Sequence, residues 1–343
     1  MKMSKSFIGL LVVSTIFVIY ASGFYTNFQT DSALEIVDFS IDAPASEDRV
    51  PSNPDRMPLY GDLHVHTKYS FDAYIFGVTA TPYDAYKYAI GEAIKHPLGF
   101  DMKLKEPLDF YAVTDHGFYM GMIENYADTS SEMSKNEWTK PMHNLNRPEN
   151  VTVESLGARA DLFSSVLTQA IIKPYPYWHP KVWKAWFTNN IQVALQSFDY
   201  DVHKSAWADV ANAAEEFNNP GKFTTFIGYE FTTSTAVEGG NLHRNVIFNS
   251  SNAPIRPWTR IDSINPEDLW TWMDGLRQKG VDSLAMPHNS NGSNGQMFEV
   301  ETFRGNPISK EYSEKRMRNE PVVEITQIKG TSDTHPLLSP DDE

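Results

Sequence analysis

Asp62-Leu63-His64-Val65-His66-Thr67 sets an acidic residue ahead of a His-x-His pair. In a strand, residues two apart point to the same side, so His64 and His66 would present two imidazoles to one point. Neutral imidazole is the commonest protein ligand for zinc-like metals. A lone His-x-His is a weak motif, so its meaning depends on partners further along the chain.

Those partners follow in order. Leu108-Asp109-Phe110-Tyr111-Ala112-Val113-Thr114-Asp115-His116-Gly117 reads as a buried strand that runs into an Asp-His pair and stops at glycine. The carboxyl end of a strand is where α/β barrels keep their chemistry. Phe223 to Phe231 repeats the design with Glu230, Asn241 to Phe248 places His243 ahead of an apolar run, and Ser283 to Pro287 leads into His288. Val322-Val323-Glu324-Ile325 adds a carboxylate, and Ser332-Asp333-Thr334-His335 a last Asp-x-His. The chain has ten histidines, and five of them (His64, His66, His116, His243, His288) fall at strand ends. Histidines satisfied one by one in loops would not produce that concentration.

This order resembles the PHP superfamily, metal-dependent phosphoesterases related to bacterial histidinol phosphatase and to the PHP domain of bacterial replicative polymerases. The resemblance covers about residues 58–343. It implies an α/β fold, the PHP-type distorted (β/α)7 barrel, with two or three divalent metal ions as cofactors; mixed His and carboxylate sites suit Zn, Mn or Fe. By the same resemblance, His64 and His66 hold a first metal with Glu230, and Glu230 bridges to a second, completed by His243 and His288. His116 and Asp72, the latter eight residues after His64, hold a third. Asp62 and Asp115 then read as carboxylates that orient imidazoles. The longer words Gly61-Asp62-Leu63-His64-Val65-His66-Thr67-Lys68-Tyr69-Ser70-Phe71-Asp72-Ala73 and Lys95-His96-Pro97-Leu98-Gly99-Phe100-Asp101 look like a large, mostly exported bacterial branch catalogued as a domain of unknown function.

The superfamily closes with an Asp-x-His after its last strands. Asp333-Thr334-His335 has the right letters but follows Glu324 by only nine positions, and a crossover between parallel strands needs about a dozen residues or more. The expectation is therefore an amino-terminal fragment, incomplete at its C-terminus, with the last motif beyond residue 343. Asp333 and His335 read as substrate-loop residues or substitute ligands, and the role of Glu324 stays open.

Lys2 and Lys5, the apolar run Phe7 to Tyr20 and the small residues Ala21-Ser22-Gly23 resemble a secretory signal peptide over residues 1–23. The alternative is an inner-membrane anchor over residues 7–25, which just reaches spanning length. Residues 24–57, with Pro44, Pro51 and Pro54, read as a flexible lead-in. The expected location is periplasmic or extracellular. The chain lacks cysteine, which excludes a disulfide framework. A net charge of −15 argues against nucleic acid as a partner. A small phosphorylated or other ester substrate is compatible with it, because bound cations invert the local field.

Between His116 and Glu230 lie roughly 110 residues where one crossover would suffice, so a helical insertion is expected at about 122–221. Leu156, Leu162, Phe163, Val166, Leu167 and Ala170 form an apolar stripe over Glu154 to Ile172; Val182 to Phe198 and His203 to Phe217 read as further helices. Trp178, Trp183, Trp186 and Trp207 are expected to fill the insertion's own core or, alternatively, to wall a substrate pocket. His143, His179 and His203 match no motif and read as structural or surface residues.

The expected chemistry is metal-assisted hydrolysis of a phosphoric ester, with Glu230 and Arg244 as catalytic residues. Arg244, beside His243, is the candidate to bind a non-bridging phosphate oxygen through its planar fork; the alternative is a surface arginine paired with a nearby carboxylate. The rival functions are an amidohydrolase-like or other ester hydrolase and a non-catalytic metal-binding protein of the cell envelope. The Thr-Asp-His strand and the early Asp72 favour the PHP reading.

Overall fold

Two short three-stranded sheets carry the site residues. A computed structural model describes residues 32–41, 57–170, 198–234, 240–328, 330–333 and 337. The signal segment, most of the lead-in, nearly all of the expected helix Val182 to Phe198, Trp178, Trp183, Trp186, His179 and His335 lie outside these residues. Strands β1 (Gly61–Val65), β2 (Phe110–Val113) and β3 (Thr224–Thr225) pair in parallel in the order β1-β2-β3. Strands β4 (Gly228–Phe231), β5 (Arg244–Phe248) and β6 (Ser283–Pro287) form an antiparallel sheet with β5 at its centre.

A parallel bridge between His116 and Glu230 joins the two sheets. There the Glu230 N–H donates to the Asp115 carbonyl at 3.0 Å, and the Gly117 N–H donates to the Glu230 carbonyl at 2.9 Å. The fold is α/β. Among the described residues the strands do not close into a barrel, and β5 runs against both its neighbours. That reversal matters for the site: the start of β5 lies at the same rim as the ends of β4 and β6. His243, just before β5, thus meets Glu230 of β4 and His288, just after β6; the His288 N–H donates to the His243 carbonyl at 3.2 Å.

Among the described residues seven α-helices surround these strands: α1 (Phe71–Ile75), α2 (Pro82–Ala89), α3 (Met122–Ala127), α4 (Leu156–Ala170), α5 (Tyr200–Phe217), α6 (Pro266–Arg277) and α7 (Lys310–Asn319). The helix expected from His203 starts at Tyr200, because Asp199 caps it: its Oδ1 accepts from the N–H groups of Asp201 and Val202. Trp207 does not fill a core belonging to the insertion. It lies on the buried face of α5, stacked edge-on against Tyr229 and Phe248 of the antiparallel sheet, and its Nε1–H donates to the Pro254 carbonyl at 2.6 Å. A second apolar cluster joins Phe71 and Ile75 to Phe118, Met122, Tyr126, Met142 and Val166. Among the described residues no helix is long and apolar enough to cross a membrane.

Trp207 is fully buried and ties α5 to β4 and β5. Its replacement by alanine leaves a large cavity and an unpaired Pro254 carbonyl, and is expected to cost about 3–5 kcal/mol. Denaturant unfolding of Trp207→Ala measures this; a loss under about 1 kcal/mol, the ordinary scale for a surface substitution, would show that the α5 contact is not part of the core.

Candidate metal centre

Strand ends deliver most of the side chains, α1 supplies Asp72 and a non-strand segment Glu324, and short polar buckles hold the strand ends in place. β1 and β2 are locked by the Val65 N–H donating to Thr114 Oγ1 at 2.9 Å and the Thr114 N–H donating to the Val65 carbonyl at 2.8 Å. Where β1 exits, the Thr67 hydroxyl donates to Asp115 Oδ2 at 2.6 Å and the Thr67 N–H to Oδ1. Asp115 therefore clamps the turn after His66; it does not hydrogen-bond to an imidazole as expected. Burial pushes its carboxyl up to about 6 against the pull of the two Thr67 donors. Asp62 also departs from expectation, since it accepts from the backbone N–H of His64 at 2.9 Å and leaves the ring alone. A side chain on Gly117 would have its Cβ 2.8 Å from the Tyr229 ring, which is why the strand ending in His116 must close on glycine.

Glu230 is the hub. Its carboxylate is 1% exposed, and its two oxygens face different imidazoles. Oε2 lies 3.2 Å from His66 Nε2 and 3.4 Å from His64 Nε2. Oε1 lies 2.6 Å from His243 Nδ1, 3.1 Å from His116 Nδ1 and 3.4 Å from His288 Nε2. Burial alone would raise this carboxyl; His116, His288 and His243 outweigh it and hold Glu230 well below the usual carboxylate range.

Two further carboxylates flank the hub. Asp72 stands 3.4 Å from His116 Nε2 and 3.6 Å from His66 Nδ1. Burial raises it, but the two histidines hold it far below its ordinary value. On the other side, Glu324 accepts from His64 Nδ1–H at 2.8 Å and from Gln327 Nε2 at 2.8 Å, and its backbone N–H donates to the Pro287 carbonyl at the end of β6. Glu324, whose role the sequence left open, is thus part of the cluster.

Among the described residues four overlapping sets have ligand atoms within 4.8 Å of one another: His64, His66 and Glu230; His64, His288 and Glu324; His66, Asp72 and His116; and His116, Glu230 and His243. Together they include every residue expected as a ligand, with Glu324 in addition. The partition differs from the expected one: His288 groups with His64 and Glu324, His116 takes its place beside Glu230 and His243, and His66 joins Asp72 and His116. Asp333 is exposed and belongs to none of these sets.

The donor chemistry fits divalent cations. His288 is fully buried, yet neither ring nitrogen has a hydrogen-bond partner. A buried polar atom left unpaired is destabilising, and a cation is one partner that both removes the penalty and accepts an imidazole lone pair. Burial drives His288 down to about 4, so the ring is neutral and ready to ligate. His64 and His66 behave oppositely: burial lowers them, and carboxylates more than reverse it, Glu230 and Glu324 for His64, Asp72 and Glu230 for His66, to about 9 in each case. His116 is raised to about 10 by Glu230 and Asp72 against the same burial.

Arg244 is not where its sequence neighbour suggested. It is 2% exposed, its Nε–H donates to Glu320 and an Nη1–H to the Leu242 carbonyl. Glu320 in turn accepts from Trp270 Nε1 at 2.8 Å and from Arg316 at 3.1 Å. Because side chains alternate across a strand, the residue after His243 faces the opposite side of β5. Arg244 is a buried structural cation that fastens β5 to the region after α7.

Three site residues carried no signal of their own in the sequence. Ser70 accepts from His66 Nδ1–H at 2.7 Å and from the His116 N–H at 3.2 Å while donating to Asp72 Oδ1 at 2.7 Å, so it sets the His66 ring with Nε2 toward Glu230. Thr232 Oγ1 contacts His116 Nδ1. Gln327 bridges Glu324 and Asn289. Serine, threonine and glutamine are too common to stand out until a fold brings them to an imidazole.

A family model described as a protein of unknown function (DUF3604) matches residues 53–343. The chain belongs to the DUF3604 family. No curated protein and no solved structure matches it. In this DUF3604 member, the matched span contains all four candidate ligand sets.

Two expectations follow from the protonation pattern. In metal-free protein the raised values of His64, His66 and His116 stabilise the fold fully below the unfolded value near about 6.5, and that contribution is lost as pH rises through about 9 to 10. The melting temperature of chelator-treated protein should therefore fall between pH 7 and pH 10; a flat or rising profile by calorimetry would contradict the assignment. His288→Leu removes two unpaired buried nitrogens, so metal-free stability should rise by about 1–3 kcal/mol while bound metal, measured by elemental analysis, decreases. A destabilised metal-free variant with undiminished metal content would refute a ligand role.

Proposed function

We propose that this protein is a metal-dependent phosphoesterase of the PHP type. The observation that supports it best is the division of one buried carboxylate, Glu230, between two groups of imidazoles, with Asp72 on one flank and Glu324 on the other. His64, His66 and Glu230 would hold one cation, and Glu230, His116 and His243 another. The sets His66–Asp72–His116 and His64–His288–Glu324 extend the centre on either side. Bound there, divalent cations supply a water of lowered pKa and neutralise oxygens of the phosphoryl group.

The chain's own residues do the rest. Glu230 stays ionised and can bridge, because the surrounding imidazoles hold its proton off. Ser70 and Thr232 fix ring orientations, a task that determines ligand basicity and placement. Phe71, 4.8 Å from the His116 ring and stacked on Phe163 at 5.8 Å, shields one side of the centre from water. Desolvation there strengthens every charge interaction inside. The PHP-type barrel belongs to this proposal through the order of the ligands along the chain. So do export, from the character of residues 1–23, and a small phosphorylated or other ester substrate in preference to nucleic acid, from the net charge of −15.

Elemental analysis of residues 24–343, run beside hydrolysis of a phosphate monoester and diester with Zn, Mn or Fe added, tests the proposal. Two or more metals per chain are expected, with turnover reduced by about 100-fold or more in His64→Ala, since even residues that only support metal ligands contribute 10–100-fold. Metal without phosphoester turnover, but with cleavage of a carboxylic or sulfate ester, would move the protein to another hydrolase class. Absence of bound metal would defeat the reading.

A further inference from the structure

Most buried cations of this fold are visibly engaged. Arg244 pairs with Glu320, Arg256 forms two bonds to Asp262 at 2.7 and 2.9 Å, and Arg159 donates to the carbonyls of Ile75, Leu145 and Asn150. Arg260, partly exposed as a whole, is different. Its Nη2 is buried with no hydrogen-bond partner, and no carboxylate stands against it among the described residues. The guanidinium lies over the ring of Phe118, 5.3 Å from its centroid. An aromatic face is a good platform for a planar cation, but it satisfies none of the N–H donors.

The position of this cation is informative. Phe118 is two residues beyond His116, and Thr259, immediately before Arg260, lies against Gly117: a Cβ built there would be 3.3 Å from Thr259 Cγ2. Arg260 therefore stands beside the Gly117-Phe118 segment that follows His116, where the Phe118 ring meets Phe71 and Phe71 meets the His116 ring. Burial lowers its guanidinium to about 10, as expected for a desolvated cation without an acidic partner.

We propose that Arg260 is the oxyanion-binding residue of the centre, its guanidinium, through the unpaired Nη2 above all, donating to non-bridging oxygens of a phosphoryl group seated against Glu230, His116 and His243. The assignment rests on the phosphoesterase reading and deepens it. A planar guanidinium matches two oxygens of a phosphate at once, and charge-assisted bonds of this kind are the strong ones. A fixed positive charge also favours a doubly charged ligand over a singly charged one, because Coulomb attraction scales with the ligand's charge. The substrate class is therefore a phosphate monoester, with a terminal dianionic phosphate, rather than a diester.

The test uses the metal-loaded chain and inorganic phosphate as probe. Phosphate affinity is measured by titration calorimetry and by competitive inhibition in the parent, Arg260→Met and Arg260→Lys, with metal content and melting temperature as controls. Arg260→Met should bind phosphate roughly 10- to 100-fold more weakly at unchanged metal content, the scale of hydrogen bonds to a charged group. Arg260→Lys should recover part of that loss, keeping the charge without the fork. KM for a monoester should rise more than KM for a diester in Arg260→Met. Phosphate affinity within twofold of the parent in Arg260→Met overturns the assignment and leaves the phosphoesterase reading standing. A metal-loaded parent that binds no phosphate overturns both. Should Arg260→Met fail to fold, a crystal structure of the metal-loaded parent with phosphate decides: an oxygen within hydrogen-bond distance of the guanidinium supports the proposal, and a phosphate bound out of its reach refutes it.

Discussion

A single buried carboxylate organises this molecule. Glu230 sits in the third position of β4, almost without solvent, where an isolated anion would be strongly disfavoured. It is tolerated because five imidazoles from four other segments of the chain converge on it. Each of those segments must then end at the same rim, and the rest of the fold can be understood as the means of bringing them there. The bridge between His116 and Glu230, which splices the parallel sheet to the antiparallel one, is the backbone expression of that requirement.

The electrostatic pattern around Glu230 is graded. His64, His66 and His116, where neighbouring carboxylates outweigh burial, are driven toward the protonated form; His243 and His288, where burial outweighs the pull of Glu230, are driven toward the neutral form. Protons and metal ions compete for such a centre, since ligating imidazoles must give up their protons. The polar residues around it act through placement. Ser70 joins His66, Asp72 and the backbone of His116 in one network, and the Thr67–Asp115 clamp holds the turn that carries His66 past the end of β1.

The region between His116 and Glu230 divides into two physical roles. Its earlier part packs with Phe71, Phe118 and Ile75 into an apolar cluster that abuts the His116 ring. Its last helix, α5, belongs instead to the main core, where Trp207 meets Tyr229 and Phe248. At the start of β5, on the face turned away from His243 and Glu230, Arg244, Glu320, Arg316 and Trp270 form a buried polar knot. Such a knot is strongly destabilising when one partner is removed, because an uncompensated charge remains.

How much was legible beforehand can be judged residue by residue. His64, His66, His116, Glu230, His243 and His288 were visible because an imidazole or carboxylate at the boundary of an apolar run is chemically conspicuous, and strand periodicity is a local property. Their partition into sets was not, for it depends on distances between strands remote in the chain; that is why His288 stands with Glu324 when His243 was expected. Arg244 looked like a substrate residue from its neighbour, yet strand alternation turns it to the far face, while Arg260 had no motif at all. By itself the sequence determined the kinds of ligand and their order, since these are written in side-chain chemistry. Only the tertiary structure decided which way each strand runs, which carboxylate meets which imidazole and which arginine is left unpaired, because those depend on long-range packing and on where water is excluded.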